Sequence, residues 1–160
     1  MMPGDRKTVV IGRLKAKPLL VGQVLCALLL AGLVARWLLG GAAYGPLGDP
    51  VMLALIAAAA LGLLHYHRLW RARDRYIRHD GTLLYRGGDA SWPLALIRDV
   101  IVARGEFGIA SLRLVVDDDS ETTRELAKLY MLDDAPEAVR GGVLFAAAGV
   151  RGVPTGVSLH

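Results

Sequence analysis

The stretch PLLVGQVLCALLLAGLVARWLLG, residues 18–40, carries one charged side chain, Arg36, in 23 residues. A helix of about 22 apolar residues is long enough to cross the roughly 30 Å hydrocarbon core of a bilayer. A second apolar run, PVMLALIAAAALGLL at residues 50–64, continues into HYHRLW, whose amphipathic side chains suit the headgroup region up to residue 70. We therefore predict two transmembrane helices, over about 18–40 and 50–70, that form a helical hairpin.

Lysine and arginine side chains flank both apolar runs and are missing from the loop between them. Five lie within residues 1–17 and five more lie from Arg68 to Arg78, whereas residues 41–49 contain none. Because cationic side chains resist translocation, this distribution predicts a membrane protein with both termini cytoplasmic. A cleaved signal peptide ending near residues 42–43 is the alternative, but the first run is long for a signal and a second span follows it.

The net charge of +4 would point to a nucleic-acid partner in a soluble protein, but its distribution argues against one. Residues 1–17 and 68–86 each carry a net +4, whereas residues 87–160 carry −4. The cations therefore flank the membrane runs, where they set topology or attract anionic lipid at about 1 kcal/mol each. The candidates for lipid contact are Lys15, Lys17, Arg68, Arg71, Arg73, Arg75 and Arg78.

Small residues recur four apart on one stripe of each predicted span. In lipid, such stripes let helices approach closely, because packing rather than the hydrophobic effect drives their association. We expect the stripes to pack the two spans against each other, with an interface to another subunit as the alternative. The helix-packing candidates are Ala27, Ala31 and Ala35 in the first span and Ala54, Ala58 and Gly62 in the second.

Side chains suited to catalysis or metal binding are sparse. The sequence contains no nucleophile elbow, phosphate loop, zinc-protease motif or dinucleotide glycine fingerprint. His65 and His67 lie two residues apart, so on a helix they point about 200° away from each other and cannot chelate one ion. The acidic residues at 117–121 lack the glycine and distal glutamate of a calcium loop. The single cysteine, Cys26, excludes an intrachain disulfide. We therefore expect no enzyme activity, no cofactor and no metal site.

After residue 70 the pattern changes from helical to alternating. Residues 75–79 and 82–86 flank the Asp80-Gly81 pair and predict a β-hairpin. Residues 122–132 suit either a strand or a helix. A last helix is predicted to begin with Asp134 as its N-cap and to end near Ala148. Further strand patterns lie at residues 99–103 and 109–116.

These segments resemble a known bacterial family. The hairpin reads Ile-x-x-Asp-Gly-x-Leu from Ile77 to Leu83, and the next segment reads Trp-Pro-x-x-x-Ile-x-Asp-Val from Trp92 to Val100. A Leu-x-Leu strand and a C-terminal helix follow. This order is similar to the bacterial pleckstrin-homology-like (PH-like) domain that follows one or two membrane hairpins. The opening Val9-Val10-Ile11, with Lys15 and Lys17, is similar to the start of small two-pass members. The resemblance implies a small bent antiparallel sheet closed by one helix, with a binding or scaffolding role and no catalysis.

We therefore predict a membrane α+β protein with a two-helix transmembrane hairpin, followed by a small antiparallel PH-like β-domain closed by a C-terminal helix. Its segments are a basic cytoplasmic start (1–17), the hairpin (18–70), a cytoplasmic PH-like domain (71–148) and a flexible tail (149–160). The expected core consists of Trp92, Ile97, Leu112, Leu114, Val139, Val143 and Leu144.

The leading functional hypothesis is a non-enzymatic inner-membrane accessory or scaffold subunit. Its PH-like domain would bind a protein partner or help to assemble a membrane complex, with another membrane protein or further copies of itself. The alternatives are a sensor of anionic lipid surfaces and a membrane-bound immunity or defence component. Arg36 is expected to reach the outer surface, with Asp49 as a candidate ion-pair partner.

Overall fold

We describe the chain from a computed structural model that covers residues 8–40, 50–105, 108–117 and 123–152. It contains two apolar helices, two antiparallel sheets and a C-terminal helix, in an α+β arrangement. The chain divides into two compact units. The two apolar helices form one unit, Ala16–Arg71, and the sheets and last helix form the other together with the residues that precede the first helix.

The helical unit consists of α1, Ala16–Gly40, and α2, Pro50–Ala72. Both are long and apolar enough to cross a membrane by length and composition. In both helices, the less exposed residues recur at intervals of three and four, which is typical of helices that pack side by side over several turns. These positions are Gln23, Cys26, Leu30, Leu33 and Trp37 in α1 and Met52, Ile56, Ala59, Leu63 and Tyr66 in α2.

The other unit contains two sheets whose neighbouring strands are all antiparallel. The predicted hairpin around Asp80-Gly81 forms, with Ile77 opposite Arg86. The ambiguous segment after residue 122 contains a strand rather than a helix. The first sheet has the order β1-β2-β3-β4, with strands Val9–Gly12, Ile77–His79, Leu83–Arg86 and Ala90–Pro93. The second has the order β5-β6-β7, with strands Ile97–Arg104, Ala110–Val116 and Arg124–Lys128.

The first strand of the sheet precedes the apolar helices in the chain. Val9 lies opposite His79 and Val10 opposite Arg78, so β1 pairs with the strand that follows α2. The β-branched run that begins at Val9 suits such a strand. Residues 1–17 were expected to form a separate basic segment, but Val9–Gly12 belong to the sheet instead.

Five of the seven residues predicted to form the core are buried. Trp92 and Leu144 are only half-buried, and this part of the expectation is wrong. The reason for Trp92 is that β4 is an edge strand, where the Arg86 guanidinium lies 5.7 Å from the centre of the indole ring. The buried members of the expected set are Ile97, Leu112, Leu114, Val139 and Val143, and Ile77, Leu84, Leu94, Val100 and Leu126 join them.

The last helix, α3, runs from Pro136 to Arg151. Its N-cap is Ala135, which makes no side-chain capping bond, so the prediction of Asp134 as N-cap is wrong. The Asp134 carboxylate instead accepts a hydrogen bond from the Arg13 backbone N–H at 2.8 Å. The helix also continues three residues past its predicted end, into the segment expected to be a tail.

Candidate functional site

An apolar groove of about 860 Å³ lies between β1 and α3. Residues 9–11 line one wall, and side chains between residues 138 and 150 of α3 line the other. Three of the large apolar side chains are exposed to solvent, since Phe145 is 83%, Val9 is 54% and Val10 is 36% exposed. His79 is the one titratable side chain among the described lining residues. This composition suits the binding of apolar groups.

The periodicity of α3 explains why Phe145 is exposed. Val139, Val143 and Ala147 recur every four residues and are buried against the sheets. Phe145 is two residues from both Val143 and Ala147, so its side chain points about 200° away from theirs. The aromatic ring therefore contributes no buried area to the core. Phe145 is not among the residues predicted to be functional, although a phenylalanine out of phase with the apolar stripe can be recognised in the sequence.

A glycine in α3 allows β1 to lie against the helix. A Cβ atom added at Gly142 would come within 2.7 Å of Ile11 Cγ2. Carbon atoms in packed interiors are separated by about 3.5–4.0 Å, so a larger residue at this position requires the Ile11 side chain or the backbone that carries it to shift. The width of the groove therefore depends on Gly142.

A polar cluster occupies the turn between β2 and β3. The Asp80 carboxylate accepts hydrogen bonds from the Leu83 N–H at 2.8 Å, from the Thr82 hydroxyl and N–H at 2.7 and 2.9 Å, and from the Tyr85 hydroxyl at 3.0 Å. These bonds, above all the one from Leu83, hold the pKa of Asp80 well below its usual range. Because they stabilise the turn itself, this carboxylate has a structural role.

The lipid-contact candidates differ in their surroundings. Two of them contact other side chains: Arg73 lies 3.4 Å from the Asp74 carboxylate, and the Arg78 guanidinium lies 5.6 Å from the centre of the Tyr85 ring. The remaining five are exposed and present their charge to the surroundings: Lys15, Lys17, Arg68, Arg71 and Arg75.

Most helix-packing candidates do not lie where α1 meets α2. A Cβ atom added at Gly62 would lie 3.1 Å from Cys26 Sγ, and Gly22 gives room to the ring of Tyr66. The helices therefore meet along these residues, one of which, Gly62, belongs to the predicted packing stripes. The alanines remain candidates for contact with another chain. They are all exposed: Ala27, Ala31, Ala35, Ala54 and Ala58.

The helical unit also carries a groove of about 520 Å³ that contains the polar side chains Gln23 and His67. Gln23 was overlooked in the sequence, although a polar residue within an apolar span is a candidate functional residue. His65 packs edge-on against Tyr66, with ring centres 5.8 Å apart.

Within the part of the chain that the structure describes, no group of three or more histidine, cysteine, aspartate or glutamate side chains could hold a metal ion. The acidic residues 118–121, the loop 41–49 and therefore the candidate Arg36–Asp49 pair lie outside the described residues.

No protein-family model, curated protein or solved structure matches the chain.

Proposed function

We propose that this chain is a non-enzymatic accessory or scaffold subunit of a bacterial inner membrane, whose PH-like domain binds a protein partner. The observation that carries the proposal is the groove between β1 and α3. Phe145 and Val9 expose apolar surface there, beside a strand at the edge of its sheet. Contiguous exposed apolar patches mark interaction sites in folded proteins.

The architecture supports both finer parts of the proposal. The PH-like resemblance implies one small bent antiparallel sheet closed by a helix, and the antiparallel strands followed by a C-terminal helix support that outline, although the strands form two sheets. Two apolar helices of sufficient length, flanked by cations, support membrane insertion.

The pairing of β1 with β2 supports a common side for the two ends of the hairpin. β1 precedes α1 and β2 follows α2, yet the two strands lie in one sheet. If the helices span the membrane, the start of α1 and the end of α2 must lie on the same side of it for β1 and β2 to pair. The strand pairing does not depend on charge, and the Lys/Arg distribution supports the cytoplasm as that side.

The partner hypothesis is tested by two matched variants of α3. Phe145→Ser removes the exposed ring, whereas Ala148→Ser changes an exposed position of the same helix that does not line the groove. We expect proteins that co-purify from native membranes to be lost with Phe145→Ser and retained with Ala148→Ser. Equal recovery with both variants contradicts a role for the groove.

The helical unit offers a second matched pair, which tests the scaffold role within the membrane. Gly62 lies at the contact with Cys26, whereas Ala58 is exposed on the same helix. Gly62→Leu is expected to destabilise the hairpin by about 1–3 kcal/mol through overpacking. Ala58→Leu should leave the hairpin intact and displace a neighbouring transmembrane helix. If Ala58→Leu changes no association, the alanine stripe has no partner.

A lipid-surface sensor is the second candidate, and one observation favours it. Five of the seven juxtamembrane cations are exposed, and therefore accessible to anionic headgroups. The same exposure is expected of cations that only set topology, whereas topology gives no reason for an exposed aromatic ring in a groove. The protein-partner proposal therefore accounts for more of the surface.

A further inference from the structure

The groove of the helical unit has a polar end and an apolar end. Gln23 and His67 lie at the polar end, whereas Leu30 and Ala60 lie about 10 Å further along the helix axes. The other lining residues are all apolar: Val24, Ala27, Leu63 and Leu64. A groove with this gradient suits an amphiphile that has a hydrogen-bonding head and an apolar chain.

The polar end of the groove lies near the start of α1 and the end of α2. The contacts at Gly22 and Gly62 place the start of α1 beside the end of α2. Gln23 lies about 10 Å from the first residue of α1, and His67 lies about 8 Å from the last residue of α2. The headgroup region of a bilayer is about 5–8 Å thick on each side. With the helices inserted as proposed, the polar end therefore lies where lipid headgroups meet their acyl chains.

The two polar side chains have hydrogen-bonding groups available for a ligand. Within the described residues, neither the Gln23 amide nor the His67 imidazole is hydrogen-bonded to another residue. A polar group without a partner is costly next to hydrocarbon. The amide carries N–H donors, and an imidazole carries at least one in either charge state. An acceptor oxygen of a ligand at this end would therefore satisfy both side chains.

The charge around the polar end favours an anion. Arg71 is exposed and follows His67 by four residues, so the two lie on the same face of α2. Long side chains in a helix extend towards its N-terminus, which brings the Arg71 guanidinium over the turn that carries His67. Neither α1 nor α2 contains an aspartate or glutamate. The ammonium of a zwitterionic headgroup would therefore find no carboxylate on these helices, whereas a phosphate finds a cation.

We propose that this groove binds an anionic phospholipid, with one acyl chain along the apolar end and the phosphate held by Gln23, His67 and Arg71. The inference rests on the membrane insertion proposed above. It does not involve the groove between β1 and α3, so the lipid and a protein partner occupy different sites.

A matched pair of histidine variants tests the polar end. His65 is exposed like His67, but it lies two residues away on the opposite side of α2 and does not line the groove. Native mass spectrometry of the full chain in detergent would compare phosphatidylglycerol with phosphatidylethanolamine of the same acyl chains. We expect phosphatidylglycerol to bind more tightly, and His67→Leu to weaken its binding about tenfold, as for one lost hydrogen bond to a charged group.

Two control variants make this measurement specific. His65→Leu should bind phosphatidylglycerol like the natural chain, and so should His67→Gln, which keeps an N–H donor. Equal binding by His65→Leu and His67→Leu overturns the site. Inorganic phosphate should not displace the lipid, because the acyl chain contributes to the affinity. Displacement by phosphate alone would mean that the site binds a free anion, and it overturns the lipid assignment.

Photolabelling in nanodiscs tests the apolar end. Phosphatidylglycerol with a diazirine on its acyl chain should label Leu63 and Leu64 of the groove more than Leu61, which is 66% exposed outside it. Ala60→Phe fills the groove and should abolish this preference, whereas Ala58→Phe, at an exposed position outside the groove, should preserve it. Even labelling around both helices would mean that the lipid belongs to the surrounding bilayer, and it overturns the proposal.

Alkaline carbonate extraction of native membranes separates the possible failures. If carbonate releases the chain, the membrane insertion is wrong and the lipid site fails with it. If the chain stays in the membrane and the His65 and His67 variants bind phosphatidylglycerol equally, only the lipid site is wrong. The effect of Phe145→Ser on co-purifying proteins tests the partner function independently of both results.

Discussion

The closest approach of α1 and α2 predicts a large difference between two chemically identical substitutions. A Cβ atom at Gly22 would overlap three ring atoms of Tyr66, and a ring cannot give way as the tip of a flexible side chain can. Gly32 lies on the same helix, and a Cβ atom there would meet nothing within 4 Å. Alanine is about 1 kcal/mol better than glycine in a helix at both sites, whereas overpacking at Gly22 costs about 1–3 kcal/mol. We expect Gly22→Ala to be less stable than Gly32→Ala by about 1–3 kcal/mol.

The difference is measured by unfolding the full chain in detergent micelles with a rising fraction of SDS. Tryptophan emission reports on Trp37 and Trp70 of the helical unit when all variants also carry Trp92→Phe. Repeating the pair of variants with Tyr66→Ala should abolish the difference, because the overlapping ring is then gone. Equal midpoints for Gly22→Ala and Gly32→Ala would refute the contact, and so would a difference that persists without the Tyr66 ring.

Three further predictions concern topology, lipid and pH. In a Cys26→Ala background, single cysteines at Gly45 and Ser120 should react oppositely with an impermeant thiol reagent in intact cells, and outside labelling at residue 120 contradicts cytoplasmic termini. In bilayers with spin-labelled lipids, anionic lipid should be enriched around the full chain, and Arg71→Gln or high salt should reduce this enrichment. Equal association of neutral lipid argues that the juxtamembrane cations only set topology. Because the folded state lowers the pKa of Asp80, this carboxylate stabilises the fold above its unfolded pKa of about 3.9. That stabilisation is lost as the pH falls through the folded pKa. An NMR titration midpoint near 3.9 for Asp80 contradicts the turn geometry.

Local patterns were sufficient to predict the elements that depend on nearby residues. The two apolar helices follow from continuous apolar runs, and the β2-β3 turn follows from Asp80-Gly81. Gly81 adopts a φ of 89°, which glycine reaches without the steric cost that other residues meet. The buried stripe of α3 follows from the four-residue spacing that starts at Val139.

The features that carry the candidate site could not be predicted in this way, because they depend on residues far apart in the chain. The pairing of Val9 with His79 crosses the whole helical hairpin. The contact stripe of α1 depends on the fit between Gly22 and Tyr66, whereas the spacing of small residues alone pointed to a different stripe. The sequence shows that Phe145 is out of phase with the apolar stripe of α3, but the groove beside it forms only when β1 is in place.

The position of β1 also constrains how the protein folds and how it should be studied. β1 is synthesised before the two apolar helices and its partner β2 after them, so the first sheet cannot be completed until both helices have been made. Closing this long loop costs conformational entropy, which β1 recovers only by pairing with β2 and packing on α3. A fragment that begins after α2 lacks β1, exposes the edge of β2 and has no groove. We therefore expect such a fragment to aggregate through that edge and to bind no groove ligand, whereas the full chain remains monodisperse in detergent. A fragment that is monodisperse and binds the same partner as the full chain would mean that β1 contributes nothing to the site.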